Sequence, residues 1–203
     1  IVEDRLYRLG PLDNIAIPRW LPHAARNVAT DATARLHVAL AMSEPTRELI
    51  EGEFSKHTMP DDSSGVKGYE RVTRFATAKR TFGVGPGAEF IDLFNAELMP
   101  GIEMSGGFGR FLPGGRLPAH VHDFDESISI TDGCATCRVE GRPYSLADCA
   151  TAMVPRGRVH YFVNETQETM DMIWVYGGPM PERIVVDESC VTEEGNPWRN
   201  GGE

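Results

Sequence analysis

Two hydrophobic patterns divide the chain. From about residue 69 onward apolar and polar positions alternate, the period of a strand with one buried face. EFIDLF (89–94), GFGRFL (107–112), ESISIT (126–131), CRVE (137–140), TAMV (151–154), VHYFV (159–163) and TMDMIWVY (169–176) are predicted strands. PGG, TDG, EGR, PRG and YGGP supply the turns between them. Close spacing of short strands predicts an all-β sandwich or barrel. The earlier part reads differently. TDATARLHVAL predicts a helix capped by Thr30 or Asp31. SEPTRELIEGEF predicts a second, capped by Ser43 with Pro45 in its first turn and Leu49, Ile50 and Phe54 as its apolar stripe. TMPDDSSGVKG (58–68) has the composition of a loop. The organisation expected is a partly helical N-terminal extension (1–68), a β-barrel domain (69–186) and a C-terminal tail (187–203).

Charge narrows the partners. Thirty acidic against 20 basic residues leave a net −10, which repels phosphate backbones and anionic membrane surfaces. No nucleic-acid partner and no membrane partner is expected, and no apolar run approaches the ~20 residues of a spanning helix. The partner expected is a small-molecule substrate. Open sheet edges and the apolar outer face of a small barrel favour pairing, so a homodimer is expected.

Four cysteines, Cys134, Cys137, Cys149 and Cys190, include a C-x-x-C. Its two members lie on a predicted strand at odd spacing, so their side chains point to opposite faces and share neither a metal nor a disulfide. Free thiols in a reducing, cytoplasmic setting are expected.

The chemistry concentrates in GGRLPAHVHDFDESISITDG. His120 and His122 are two apart, and Glu126 lies four further on, so on strands all three face one side. His160 follows a Pro-x-Gly turn on a later strand. Three imidazoles and a carboxylate suit a first-row divalent transition metal, whereas calcium or magnesium would want mostly oxygen. His23, His37 and His57 have no such spacing and read as surface or packing residues. Parity with Glu126 sends Ile128 and Ile130 inward, and parity with His160 sends Phe162 inward. On GFGRFL either Phe108, Arg110 and Leu112 or Gly109 and Phe111 face in. Arg110, Phe162, Trp174 and Tyr176 are the candidate substrate contacts. Asp123 and Asp125 read as loop groups, with one of them a candidate to orient an imidazole.

These residues resemble the cupin superfamily. Its first motif is a glycine, five residues, His-x-His, three or four residues, Glu, six residues, glycine. Gly114, His120, His122, Glu126 and Gly133 meet every term. Its second is a glycine, five residues, Pro-x-Gly, two residues, His, three residues, Asn. Pro155, Gly157, His160 and Asn164 match, with Cys149 in place of the opening glycine, a turn position. The resemblance implies an antiparallel barrel of the double-stranded β-helix or jelly-roll kind, with one metal held by His120, His122, Glu126 and His160. Iron(II) leads; manganese, zinc and nickel also fit. It implies a metal-dependent enzyme on a small, oxygenated, chelating metabolite, with a non-haem iron(II) dioxygenase ahead. An isomerase, epimerase or lyase working through an enediolate, with Glu126 as catalytic proton carrier, is the alternative. A non-catalytic metal- or sugar-binding module is a third.

Overall fold

The computed structural model describes residues 1–51, 57–82, 84–147 and 149–188. The chain divides into two compact units, Ile1–Thr77 and Ala78–Glu203.

The first unit contains β1 (Arg5–Leu6), β2 (Asn14–Ala16), β3 (His57–Thr58), β4 (Gly65–Lys67) and β5 (Glu70–Thr73). β1 pairs in parallel with β3, and β5 lies between β2 and β4 in an antiparallel sheet. Its apolar cluster is small: Val2, Tyr7 and Val72, with partly buried neighbours. A fully buried carboxylate, Glu70, lies at its centre. Arg5 donates to both of its oxygens at 2.7 and 2.9 Å, and the Tyr7 hydroxyl donates to one of them. Such a buried charge is tolerated because it is both paired and hydrogen-bonded.

The partly helical extension is not seen. Among the described residues the only helical element is a 3-10 turn, Phe75–Thr77. The described parts of the segments expected to be helices after Thr30 and Ser43 are irregular, and Leu36, Val38, Leu40, Leu49 and Ile50 are all exposed. Caps alone do not sustain a short helix in water; it needs an apolar surface to dock on, and these side chains have none. Phe54, the last member of the expected stripe, lies outside the described residues.

The second unit is all β. Its strands are β6 (Arg80–Phe82), β7 (Ala88–Phe94), β8 (Ser105–Phe111), β9 (His120–Val121), β10 (Glu126–Asp132), β11 (Cys134–Val139), β12 (Arg142–Ala147), β13 (Thr151–Val154), β14 (His160–Val163), β15 (Met170–Tyr176) and β16 (Ile184–Val185). They form two antiparallel sheets, ordered β13-β10-β15-β8-β7-β6 and β12-β11-β14-β9-β16. Each strand predicted from alternation has its counterpart. β12 has no such signal: it carries Pro143 and is exposed apart from Leu146, as suits an edge strand. The core lies between the sheets. Phe90, Phe111, Ile128, Ile130, Met170 and Met172 from the first sheet meet Ala135, Cys137 and Phe162 from the second.

Two turns hold the barrel's motifs in shape. Gly133 (φ 71°) joins β10 to β11, and a Cβ there would stand 2.6 Å from the Thr169 carbonyl oxygen, so only glycine fits. Cys149, standing where the motif has glycine, adopts φ 63°. A side chain in that left-handed region costs on the order of 1–2 kcal/mol. The turn is nonetheless formed, with the Cys149 N–H donating to the Ile130 carbonyl at 3.0 Å. Cys134 is exposed and Cys137 buried on the same strand, and they and Cys149 are free thiols; Cys190 lies outside the described residues.

Candidate metal centre

β9 and β14 are paired so that His120 stands directly opposite His160. His122 follows β9, and Glu126 opens β10. The ring centroids of His120 and His160 are 4.3 Å apart, and those of His122 and His160 4.9 Å. One ligand atom from each of the four residues lies within 4.8 Å of the others, and all four residues are buried.

The hydrogen bonds set the state of each ring. Nδ1 of His120 faces the Pro118 carbonyl (2.9 Å), that of His122 the Phe124 carbonyl (2.6 Å) and that of His160 the Arg158 carbonyl (2.9 Å). Carbonyls only accept, so each Nδ1 carries the proton and donates. In a neutral ring this leaves a lone pair on Nε2. Nε2 of His122 and of His160 both face Oε2 of Glu126, at 3.0 and 2.7 Å. Lone pair would face lone pair there unless a cation, either a shared proton or a metal ion, sits among them. Nε2 of His120 is buried with no hydrogen-bond partner at all. A divalent metal satisfies this orphan and replaces both shared protons, so the residues present fit one. The imidazoles are oriented by backbone carbonyls. Asp125 acts elsewhere, accepting from the Arg156 N–H at 2.9 Å and so fixing the turn before β14. Gly157 in that turn donates to the His122 carbonyl at 2.9 Å, tying the second motif to the first.

Electrostatics agree with a cation site. Burial pushes the Glu126 carboxyl up, but hydrogen bonds from His122 and His160 outweigh it and bring it down to about 2. Burial first, then the neighbouring His160, lowers His120 to about 3. Both values lie below the ordinary 4.5 and 6.5, so between each pair of values the unfolded chain binds a proton that the fold refuses. The stability these two groups contribute is therefore complete above pH 6.5 and is lost as pH falls from there towards 2. The chelator-stripped protein should show its melting temperature dropping progressively in acid, and Glu126→Gln should shrink the part of the drop between pH 4.5 and 2, leaving the His120 share that runs down to about 3. An acid limb identical in wild type and variant would contradict this assignment.

A cavity of about 150 Å³ opens beside Glu126. Phe90, Leu117, Met172, Trp174 and Tyr176 wall it, and its other charged groups are Asp92 and Arg183. Burial pushes the Asp92 carboxyl up and the Tyr176 phenol up. Trp174 and Tyr176, named from the sequence, thus stand at the cavity. Phe162 is buried in the core between the sheets. Arg110 is placed elsewhere: its guanidinium makes a forked pair with Asp171, its cross-strand neighbour, at 2.8 and 2.6 Å, and lies over the Phe108 ring. Asp92 and Arg183 escaped the sequence reading. Asp92 left one signal, an acid two residues from Phe90 on the inward face of a strand. The motif asparagine, Asn164, is structural. It is fully buried, its Nδ2 donates to the carbonyls of Phe111, Leu112 and Glu168, and its Oδ1 accepts from Thr166.

A cupin-domain family model matches residues 107–176, the span from β8 through β15. No curated protein matches the chain. Among solved structures, the polyketide cyclase RemF from Streptomyces resistomycificus is similar at TM-score 0.50 and 18% identity, over 63% of this chain and 94% of that one. The oxalate decarboxylase of Lactobacillus farciminis, solved as a formate complex, is similar at TM-score 0.52 and 17% identity, over 57% of this chain and 36% of that one. At such identities the likeness is one of fold alone.

Proposed function

We propose that this chain, which carries a cupin domain over residues 107–176, is a metal-dependent enzyme acting on a small, oxygen-rich, chelating metabolite, and that its reaction is a dioxygenation at non-haem iron(II). The observation that carries the reading is the convergence of three Nδ1-tied imidazoles and one carboxylate on a buried point beside a cavity. When bound, the metal supplies Lewis acidity and, as iron(II), the capacity to engage dioxygen. His120, His122, Glu126 and His160 hold it. Ile128 and Phe162 belong to the buried core between the sheets, while Phe90, Leu117 and Met172 present an apolar wall to the substrate. Low polarity there strengthens every electrostatic contact the substrate makes.

One observation favours a second reading, an isomerase, epimerase or lyase. Asp92 stands at the cavity with its carboxyl raised by burial, which suits a group that takes and returns a proton. Glu126, the proton carrier expected from the sequence, faces the Nε2 atoms of both His122 and His160. The test is turnover of β-diketones, enediols, catechol-like compounds and keto sugars by iron-loaded protein, with an oxygen electrode. Oxygen consumption that tracks substrate loss supports dioxygenation. Equal turnover under strict anaerobiosis, abolished in Asp92→Asn, supports the second reading and overturns the first. Tight binding of a chelator without turnover overturns both in favour of a binding module.

A further inference from the structure

Arg183 and Trp174 line the cavity, and the metal site uses neither. Arg183 is held in place by β16, whose Ile184 and Val185 pair with Val121 and His120 of β9. The strand that carries His120 therefore also positions the backbone beside Arg183. Its Cζ lies 5.7 Å from the centroid of the Phe90 ring, a cation–π contact. Among the described residues it makes no ion pair or hydrogen bond. Trp174 is only 4% exposed, yet its indole N–H is buried without a partner. A buried donor left unpaired costs about 1–3 kcal/mol, so an orphan in a cavity wall points to an acceptor that arrives with a ligand. Asp92 is the one lining group besides Glu126 that would oppose an anion, and the Arg183 charge acts on its carboxyl, pulling it down against burial. Its carboxylate already accepts from the Asn95 amide at 3.2 Å, and burial pushes it towards the neutral form.

Size limits the ligand. A cavity of about 150 Å³ accommodates a molecule of roughly benzene size, about six non-hydrogen atoms. Glu126 and Arg183 both line this cavity.

We propose that the cavity takes a small carboxylic acid with a second, chelating oxygen, its carboxylate held by the Arg183 guanidinium and the Trp174 indole N–H. This rests on the metal-dependent reading above and narrows its substrate class from oxygenated metabolites in general to oxo or hydroxy acids. Arg183 and Trp174 determine specificity: a charge-assisted hydrogen bond in a dry wall separates an acid from the neutral ketone of the same shape.

Pyruvate and butane-2,3-dione are such a pair, equal in non-hydrogen atoms and differing in a carboxylate against an acetyl group. Calorimetric titration of zinc-loaded protein, which has no redox turnover, measures both. Pyruvate is expected to bind at least about 10-fold more tightly, the lower end for a charged hydrogen bond. In Arg183→Met the preference disappears while zinc content and diketone affinity stay at wild-type values; Arg183→Lys restores part of it. A wild type without the preference, or an Arg183→Met protein that keeps it, overturns the proposal. A preference that vanishes in Arg183→Met but persists in chelator-stripped protein supports the Arg183 assignment and contradicts only the metal-dependent reading.

Discussion

Replacing His160 by alanine is expected to lower affinity for a divalent transition metal by more than about 100-fold, beyond the 10–100-fold that loss of a mere supporting group costs a metal site. His160 is fully buried, donates Nδ1–H to the Arg158 carbonyl and faces Glu126 at 2.7 Å. Its removal takes away a ligand and leaves the Glu126 carboxylate with only His122 as a partner. The surrounding strand should survive, because β14 is held by backbone pairing to β11 and β9. Competition against a chelating dye, with circular dichroism to confirm the fold, measures the effect. An affinity within a few-fold of wild type would show that the metal binds elsewhere.

Phe162→Ala is expected to destabilise the protein by roughly 3–5 kcal/mol, the range for emptying a buried phenylalanine site. Phe162 is 1% exposed, lies opposite Cys137 on β11 and packs into the cluster between the two sheets. Urea unfolding should show a lower midpoint with an unchanged slope. A loss below about 1 kcal/mol would mean that the ring is a replaceable pocket wall and not a member of the core.

The candidate metal ligands were legible in part because a strand has a two-residue period. His120 and His122 share the parity of β9, whereas Glu126 opens β10 in the other sheet beyond a loop, so its motif spacing and not strand parity marked it; His160 follows a turn whose glycine (φ 74°) announces itself. Parity also placed Ile128, Ile130 and Phe162 indoors. What parity does not carry is the identity of a cross-strand partner. Arg110 and Arg183 are equally arginines in the sequence; register puts Asp171 opposite the first and leaves the second at the cavity. The N-terminal segments misled for a related reason. Their caps are local signals, whereas a helix of that length depends on a docking surface that no local pattern encodes. Cys149 shows the converse: a non-glycine residue holds the left-handed turn because the surrounding strands impose it.

Whether His120, His122, Glu126 and His160 form a metal centre decides everything built on them. Elemental analysis by plasma mass spectrometry settles it, on protein purified without added metal and on the His160→Ala variant prepared identically. About one equivalent of a divalent transition metal per chain is expected in the wild type, released by a chelator, and almost none in the variant. Equal metal content in both proteins, or a wild type that stays empty after anaerobic incubation with iron(II), manganese, zinc and nickel, would contradict the assignment.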